Sequence, residues 1–227
     1  MMADRRQLVL DLPHRPALER DDFLVAPCNA DAVGWIDLWP DWPAPALILC
    51  GPSGCGKTHL AAVWQARTGA LAVDAASLSD AAFAPEGENP HRLVENAAQV
   101  GDENALLHLY NRIAEQRGTL LLMAESPPAR WETGLADLAS RLRSAPVAEI
   151  GEPDDALLEA VLVKLFADRQ LSVGPDVIAY LMPRMERSFA AARSLVARLD
   201  SASLSQRRIV TVPLARAVLA EGDQDRG

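Results

Sequence analysis

The sequence predicts an α/β fold, a parallel sheet covered by helices on both faces, followed by a smaller all-helical unit. Three observations predict it. A short continuous apolar run at Ala46 to Cys50 is the mark of a strand buried on both faces, and further strands are expected at Arg92 to Val94, Thr119 to Met123 and Val147 to Ile150. Helical stripes alternate with them, which implies parallel strands joined by crossover helices. After Gly151-Glu152-Pro153 the pattern changes to helices only.

The elements follow in order. Residues 1–21 carry scattered charge and a short alternating apolar stretch, and read as an arm rather than core. Residues 22–151 form the α/β base. It opens on a Trp- and Pro-rich stretch, helix-like from Val33 to Trp39 until Pro40 stops it. The Ala46–Cys50 strand leads into a helix with Leu60, Val63 and Trp64 at helical spacing. Asp102 to Gln116 places Leu106, Leu109, Tyr110 and Ile113 on one face of another helix. Residues 152–221 are the helical unit. Asp154 or Asp155 caps a helix to Arg169, Pro175 to Met182 and Ser188 to Ser201 are two more, and Pro213 starts a fourth reaching about Ala220. Residues 222–227 read as a tail.

Composition narrows the function classes. The 227 residues are 49% hydrophobic and 23% charged, as in a water-soluble globular protein, and no uncharged apolar run reaches membrane-spanning length. The net charge of −9 disfavours strong direct grip on duplex DNA, which calls for a basic face. Three cysteines, Cys28, Cys50 and Cys55, are too few for a disulfide framework, and no signal peptide opens the chain, so a cytoplasmic protein is expected.

Gly51-Pro52-Ser53-Gly54-Cys55-Gly56-Lys57-Thr58 fits the phosphate-loop pattern G-x-x-x-x-G-K-[ST] without deviation, between a buried strand and a helix as the motif requires. Its glycines let backbone N–H groups curl around phosphate oxygens, and the following helix adds its positive end. Lys57 would reach the β and γ phosphates and Thr58 would hold Mg²⁺, with His59 next in line. Of the 22 basic residues only Lys57 and Lys164 are lysine, and one of the two falls where the motif needs it. A P-loop enzyme also needs an acid at a neighbouring strand end for the magnesium's water shell. Glu95 is the candidate, against the alternative of an ordinary strand-end carboxylate. The next position, where an acid usually polarises the attacking water, is Asn96, which cannot take a proton. Self-driven hydrolysis is therefore expected to be slow.

Together these features resemble the AAA+ ATPases, and within them the DnaA/Hda branch that governs bacterial replication initiation, from Asp22 to about Ala220. That resemblance implies a five-stranded parallel sheet with a helical lid, and ATP or ADP with Mg²⁺ as ligands. Phe23-Leu24-Val25 with Asn29-Ala30 resembles the segment lining the adenine pocket. Asp137-Leu138-Ala139-Ser140-Arg141-Leu142 resembles the segment that carries the arginine finger, which makes Arg141 a finger acting in trans; the alternative is a solvated surface cation. Ser126-Pro127-Pro128 resembles the turn after the sensor-1 strand, and the sensor-1 position falls on Met123 or Ala124. The lid's sensor-2 arginine falls on Ala190, with Arg187 and Arg193 one helical turn to either side. Gln7-Leu8-Val9-Leu10-Asp11-Leu12 is similar to the peptide that docks bacterial proteins on the DNA polymerase III sliding clamp, with Gln7, Leu8, Leu10 and Leu12 as contacts. The sequence ends where DnaA continues into a helix-turn-helix domain, so a regulator rather than an initiator is expected.

The resemblance thus implies a protein that binds adenine nucleotide, docks on the clamp, and stimulates ATP hydrolysis by DnaA through Arg141, with a homo-oligomer possible. Two rivals stay open: a P-loop ATPase turning over its own ATP as a loader or remodeller, and a targeting adaptor without catalytic effect.

Overall fold

A computed structural model describes residues 24–78, 89–206 and 208–224. The arm, including Gln7, Leu8, Leu10 and Leu12, lies outside the described residues, as does Phe23. The base contains α1 (Ala30–Asp37), β1 (Ala46–Cys50), α2 (Lys57–Thr68), β2 (Leu71–Asp74), β3 (Arg92–Glu95), α3 (Glu103–Glu115), β4 (Leu120–Ala124), α4 (Ala136–Ser144) and β5 (Val147–Glu149). The strands form one parallel sheet in the order β2-β3-β4-β1-β5. Four strands stand where the sequence places them. The fifth, β2, is an edge strand whose first two residues, Leu71 and Ala72, are exposed, so it lacks the apolar signature of a doubly buried strand.

Alternation along the strands divides the base into two cores. Ile48, Val94, Leu120 and Leu122 face α3 and α4 and pack with Leu106, Leu109, Leu138 and Leu142. Leu47, Leu49, Leu93, Leu121 and Met123 face α1 and α2 and pack with Ile36, Leu60 and Trp64. The central strands β1 and β4 are buried at every position, which is why their sequence reads as unbroken apolar runs.

The second unit contains α5 (Asp155–Asp168), α6 (Pro175–Leu181), α7 (Phe189–Gln206) and α8 (Val212–Gln224). Asp154 caps α5, accepting a 2.8 Å bond from the Leu157 N–H. Ser188 accepts from the Ala191 N–H and so precedes α7 as its cap rather than beginning it. Both closing helices run further than expected, α7 to Gln206 and α8 into the segment read as a tail. Leu162, Phe166, Ile178, Leu181, Val196, Leu199 and Ala215 fill the core of this unit. A separate cluster joins the two units: Leu157, Leu158 and Phe189 meet Ala26 and Cys28 of the entry segment. The Gly151 N–H also donates to the Cys28 carbonyl at 2.8 Å, tying the hinge between the units to that segment.

Candidate functional site: the phosphate loop and its cavity

The loop between β1 and α2 has a backbone that only glycine accommodates. Gly54 and Gly56 sit at φ of +73° and +106°, in the left-handed region that side chains disfavour. A Cβ on Gly51 would stand 2.2 Å from the Ile150 carbonyl oxygen. The result is a loop of amides curling toward the N-terminus of α2, the arrangement that receives phosphate oxygens. Lys57 stays within it, its Nζ donating to the carbonyls of Gly51 at 2.6 Å and Pro52 at 2.8 Å. Cys55 is buried beneath the loop and Cys50 ends β1; burial pushes the Cys50 thiol up to about 11 and raises Cys55 as well, so both stay neutral.

A cavity of about 200 Å³ opens beside the loop, lined by Ser53, Gly54, Gly56, Lys57, Thr58, His59, Asn96, Met123, Ala124, Glu125 and Arg193. Every loop residue expected at a phosphate except Gly51, Pro52 and Cys55 is therefore on its wall. The strand ends close the far side. Met123 and Ala124 present no polar side chain there. Asn96 follows β3 in the left-handed region at φ +54°, which asparagine tolerates. Its Nδ2 donates to Asp74 Oδ2 at 2.8 Å, at the end of the neighbouring β2.

Glu95 ends β3, half-buried and in register with Asp74, but it is not among the lining residues. By strand alternation it stands on the sheet face of Leu93, the face of α2 and Thr58. The lining carboxylate is Glu125, directly after β4, which the sequence reading passed over. Its signal was present: an acid closing an apolar strand next to the P-loop strand, the same pattern that singled out Glu95.

The lid meets the loop through the start of α7. The Phe189 N–H donates to the Gly54 carbonyl at 3.1 Å, and a Cβ on Gly54 would meet Ser188 and Ala190 at 3.1 Å. Ala190 thus packs on the loop with no charge to offer. The two flanking arginines part company. Arg187 is exposed and turned away, paired with Asp155 at 2.8 Å, whereas Arg193 lines the cavity. Its surroundings lower its pKa by desolvation, yet a guanidinium keeps its charge at any physiological pH. Val25 is 61% exposed, and Asn29 is buried, accepting from the Ala26 N–H and donating to the Leu24 carbonyl, which fixes the entry segment.

Arg141 stands apart from this cavity, on α4 and the opposite sheet face from α2. Its neighbours Leu138 and Leu142 are buried, which turns Arg141 outward, where its guanidinium lies 5.4 Å from the Tyr110 ring centroid. The platform beneath it is tied down: Glu103 of α3 accepts the Gly134 and Leu135 N–H groups at 2.8 and 2.6 Å, at the entrance to α4.

Comparison with known proteins places both units. Residues 155–219 match the Hda lid-domain family. Domain III of the replication initiation protein DnaA from Thermotoga maritima superposes with a TM-score of 0.77 at 16% identity, over 92% of this chain and 98% of that one. AMPPCP-bound DnaA from Aquifex aeolicus gives 0.66 at 16% identity, over 80% of this chain and 64% of that one. The RuvB Holliday junction branch migration motor of Thermotoga maritima gives 0.63 at 14% identity, over 78% and 61%. At these identities the superpositions establish the fold alone, a parallel five-stranded base with a helical unit after it.

Proposed function

We propose that this chain, a DnaA/Hda-like AAA+ protein with an Hda lid, is a regulator of replication initiation that acts on a partner's nucleotide. It binds ATP or ADP with Mg²⁺ in the P-loop cavity, docks on the DNA polymerase III sliding clamp, and presents Arg141 to ATP held by DnaA. DnaA then hydrolyses its ATP. The observation that carries the reading is the placement of Arg141: exposed on a braced helix, yet outside the chain's own nucleotide cavity. An arginine so placed can complete a partner's site and cannot reach its own, and such a finger supplies ~10³–10⁵ in rate by stabilising charge on the transferring phosphoryl group.

Within its own site, Lys57 and the loop amides bind the phosphates, and Thr58 and Glu95 hold the cation, Glu95 through water. Among the described residues no trio of His, Cys, Asp or Glu side chains gathers to hold a metal, so the cation depends on phosphate oxygens for much of its shell. Arg193 takes the place that Ala190 leaves empty of charge. Asn96 gives no base at its position, so the chain's own turnover is slow and bound nucleotide serves to set conformation. The clamp contacts are Gln7, Leu8, Leu10 and Leu12, leucines laid into an apolar groove with the amide fixing register. The protein works in the cytoplasm; among the described residues no helix is long and apolar enough to cross a membrane.

The test is ATP hydrolysis by DnaA in the presence of DNA-loaded clamp and the full chain. Arg141→Ala and the double variant Gln7→Ala/Leu8→Ala are each expected to lose most of the stimulation, while only the second loses clamp binding in a pull-down. Stimulation that survives both substitutions contradicts the mechanism. Dependence on Gln7 and Leu8 alone would make the protein an adaptor.

A further inference from the structure

The face of α3 that packs on α4 holds a ring with no task in that scheme. Tyr110 is 4% exposed there, set among Leu106, Leu109, Leu138 and Leu142. Packing fixes the ring, and Arg141 lies over it, its guanidinium carbon 5.4 Å from the centroid. Burial pushes the phenol above its ordinary pKa, with the Arg141 charge pulling the other way, so the ring is neutral at neutral pH. Asp137 stands four residues earlier on the same helix, the spacing at which an acid and a base can pair. Yet no ion pair or hydrogen bond engages the Arg141 guanidinium among the described residues. Arg143, also exposed on α4, has no ring under it among those residues. An ion pair would offset the arginine's charge and occupy its N–H donors. A neutral ring takes only a face of the guanidinium and leaves both. Glu103, on the same helix as Tyr110, accepts the Gly134 and Leu135 N–H groups at 2.8 and 2.6 Å. One helix thus fixes the chain entering α4 and the guanidinium that α4 carries.

We propose that Tyr110 is the positioning residue for Arg141, its ring holding the guanidinium in place while charge and N–H donors stay available to a phosphate on a partner protein. The inference rests on the reading of Arg141 as a finger acting in trans. An exposed arginine has many rotamers, and ordering it only when the partner arrives costs rate. A ring that holds the guanidinium beforehand removes part of that cost. The contact also strengthens as a partner covers it and excludes water, since the attraction between cation and ring quadrupole is weakest when both are solvated. Tyr110 touches no reacting atom in this scheme. Its effect is on the maximal rate of the stimulated reaction, and it leaves the chain's own nucleotide cavity alone, because neither Tyr110 nor Arg141 lines that cavity.

The test is ATP hydrolysis by DnaA with DNA-loaded clamp, titrated with the full chain so that maximal rate and half-saturating concentration are read separately. Clamp pull-down and AMPPCP affinity are followed in parallel. Tyr110→Phe, which keeps the ring, is expected to keep most of the stimulation. Tyr110→Leu is expected to lower the maximal rate by ~5- to 30-fold, the size of a cation–π contact desolvated under a partner. Half-saturation, clamp binding and AMPPCP affinity should change little. Phenylalanine analogues with increasing ring fluorine at position 110 keep the ring's shape nearly constant while draining its negative face. They are expected to lower the maximal rate stepwise from the Tyr110→Phe value, a readout that a packing role does not move. If Arg141→Ala abolishes stimulation while Tyr110→Leu and the fluorinated rings all match the wild type, the assignment is overturned and the finger reading stands. A loss in Tyr110→Leu with no dependence on ring fluorine, or one confined to half-saturation or clamp binding, overturns it as well. Stimulation that survives Arg141→Ala, or none from the wild type, removes both this proposal and the finger reading beneath it.

Discussion

Ala190 and Arg193 differ by one helical turn, and that turn decides which of them can touch a phosphate. Ala190 packs against Gly54, where the lid and loop backbones are close enough that a Cβ on the glycine would crowd both neighbours. Arg193 reaches the cavity wall and brings a fixed cation with it. A charge-assisted hydrogen bond to phosphate contributes about 1.5–3 kcal/mol. Arg193→Ala should therefore weaken nucleotide binding by about tenfold or more in a fluorescent-nucleotide titration. Arg187→Ala should change it little, because its guanidinium is occupied by Asp155 at an exposed site. Equal losses in the two variants would show that the cavity assignment of Arg193 is wrong. The residue pattern could narrow the choice to these two arginines by helical spacing. It could not separate them, because the decision depends on how α7 lands on the loop.

At the scale of elements, legibility followed burial. β1 and β4 are enclosed on both faces, so every residue is apolar and the strands announce themselves. β2 is an edge strand with exposed Leu71 and Ala72, and nothing in a four-residue stretch of that kind separates strand from loop. The helix limits erred in the same way at α7, whose final turn is largely exposed and carries little periodic signal. Glu125 was missed at the end of β4 because the turn after it, with two prolines, drew the reading instead. The entry to β3 holds a further element-scale consequence. His91 sits edge-on to Trp39 and Trp64, beside Arg92, with its Nδ1 2.7 Å from Thr119 Oγ1 and accepting from the Thr119 N–H. Burial lowers its pKa, and the Arg92 charge lowers it further. The folded protein thus refuses a proton that the unfolded chain takes near pH 6.5. Stability contributed by neutral His91 is complete above that pH and falls as pH drops below it toward the lowered folded value. Urea denaturation at pH 7.5 and 5.5 should show the lower midpoint at 5.5, with the difference reduced in His91→Gln. An equal difference in that variant would assign the pH dependence elsewhere.

Across the whole molecule, two chemical sites occupy opposite faces of one sheet. The P-loop cavity lies with α2 and the lid, joined to them by the Phe189 to Gly54 hydrogen bond and the cluster at Leu157, Leu158 and Phe189. Arg141 lies with α3 and α4, braced by Glu103. The P-loop motif and the arginine segment were both legible in the sequence; their separation was not, since it follows from which sheet face each crossover helix covers. Under the proposed function, that separation assigns bound nucleotide and Arg141 to different reactions. The most direct measurement follows the label. DnaA is loaded with γ-labelled ATP and this chain with unlabelled nucleotide, then the labels are exchanged, each time with DNA-loaded clamp. Phosphate released from DnaA's pool should rise by ~10³ or more with the wild-type chain and fall to the unstimulated rate with Arg141→Ala, while the chain's own pool releases phosphate slowly in both. Release chiefly from the chain's own pool, or stimulation of DnaA that Arg141→Ala leaves intact, would contradict action in trans.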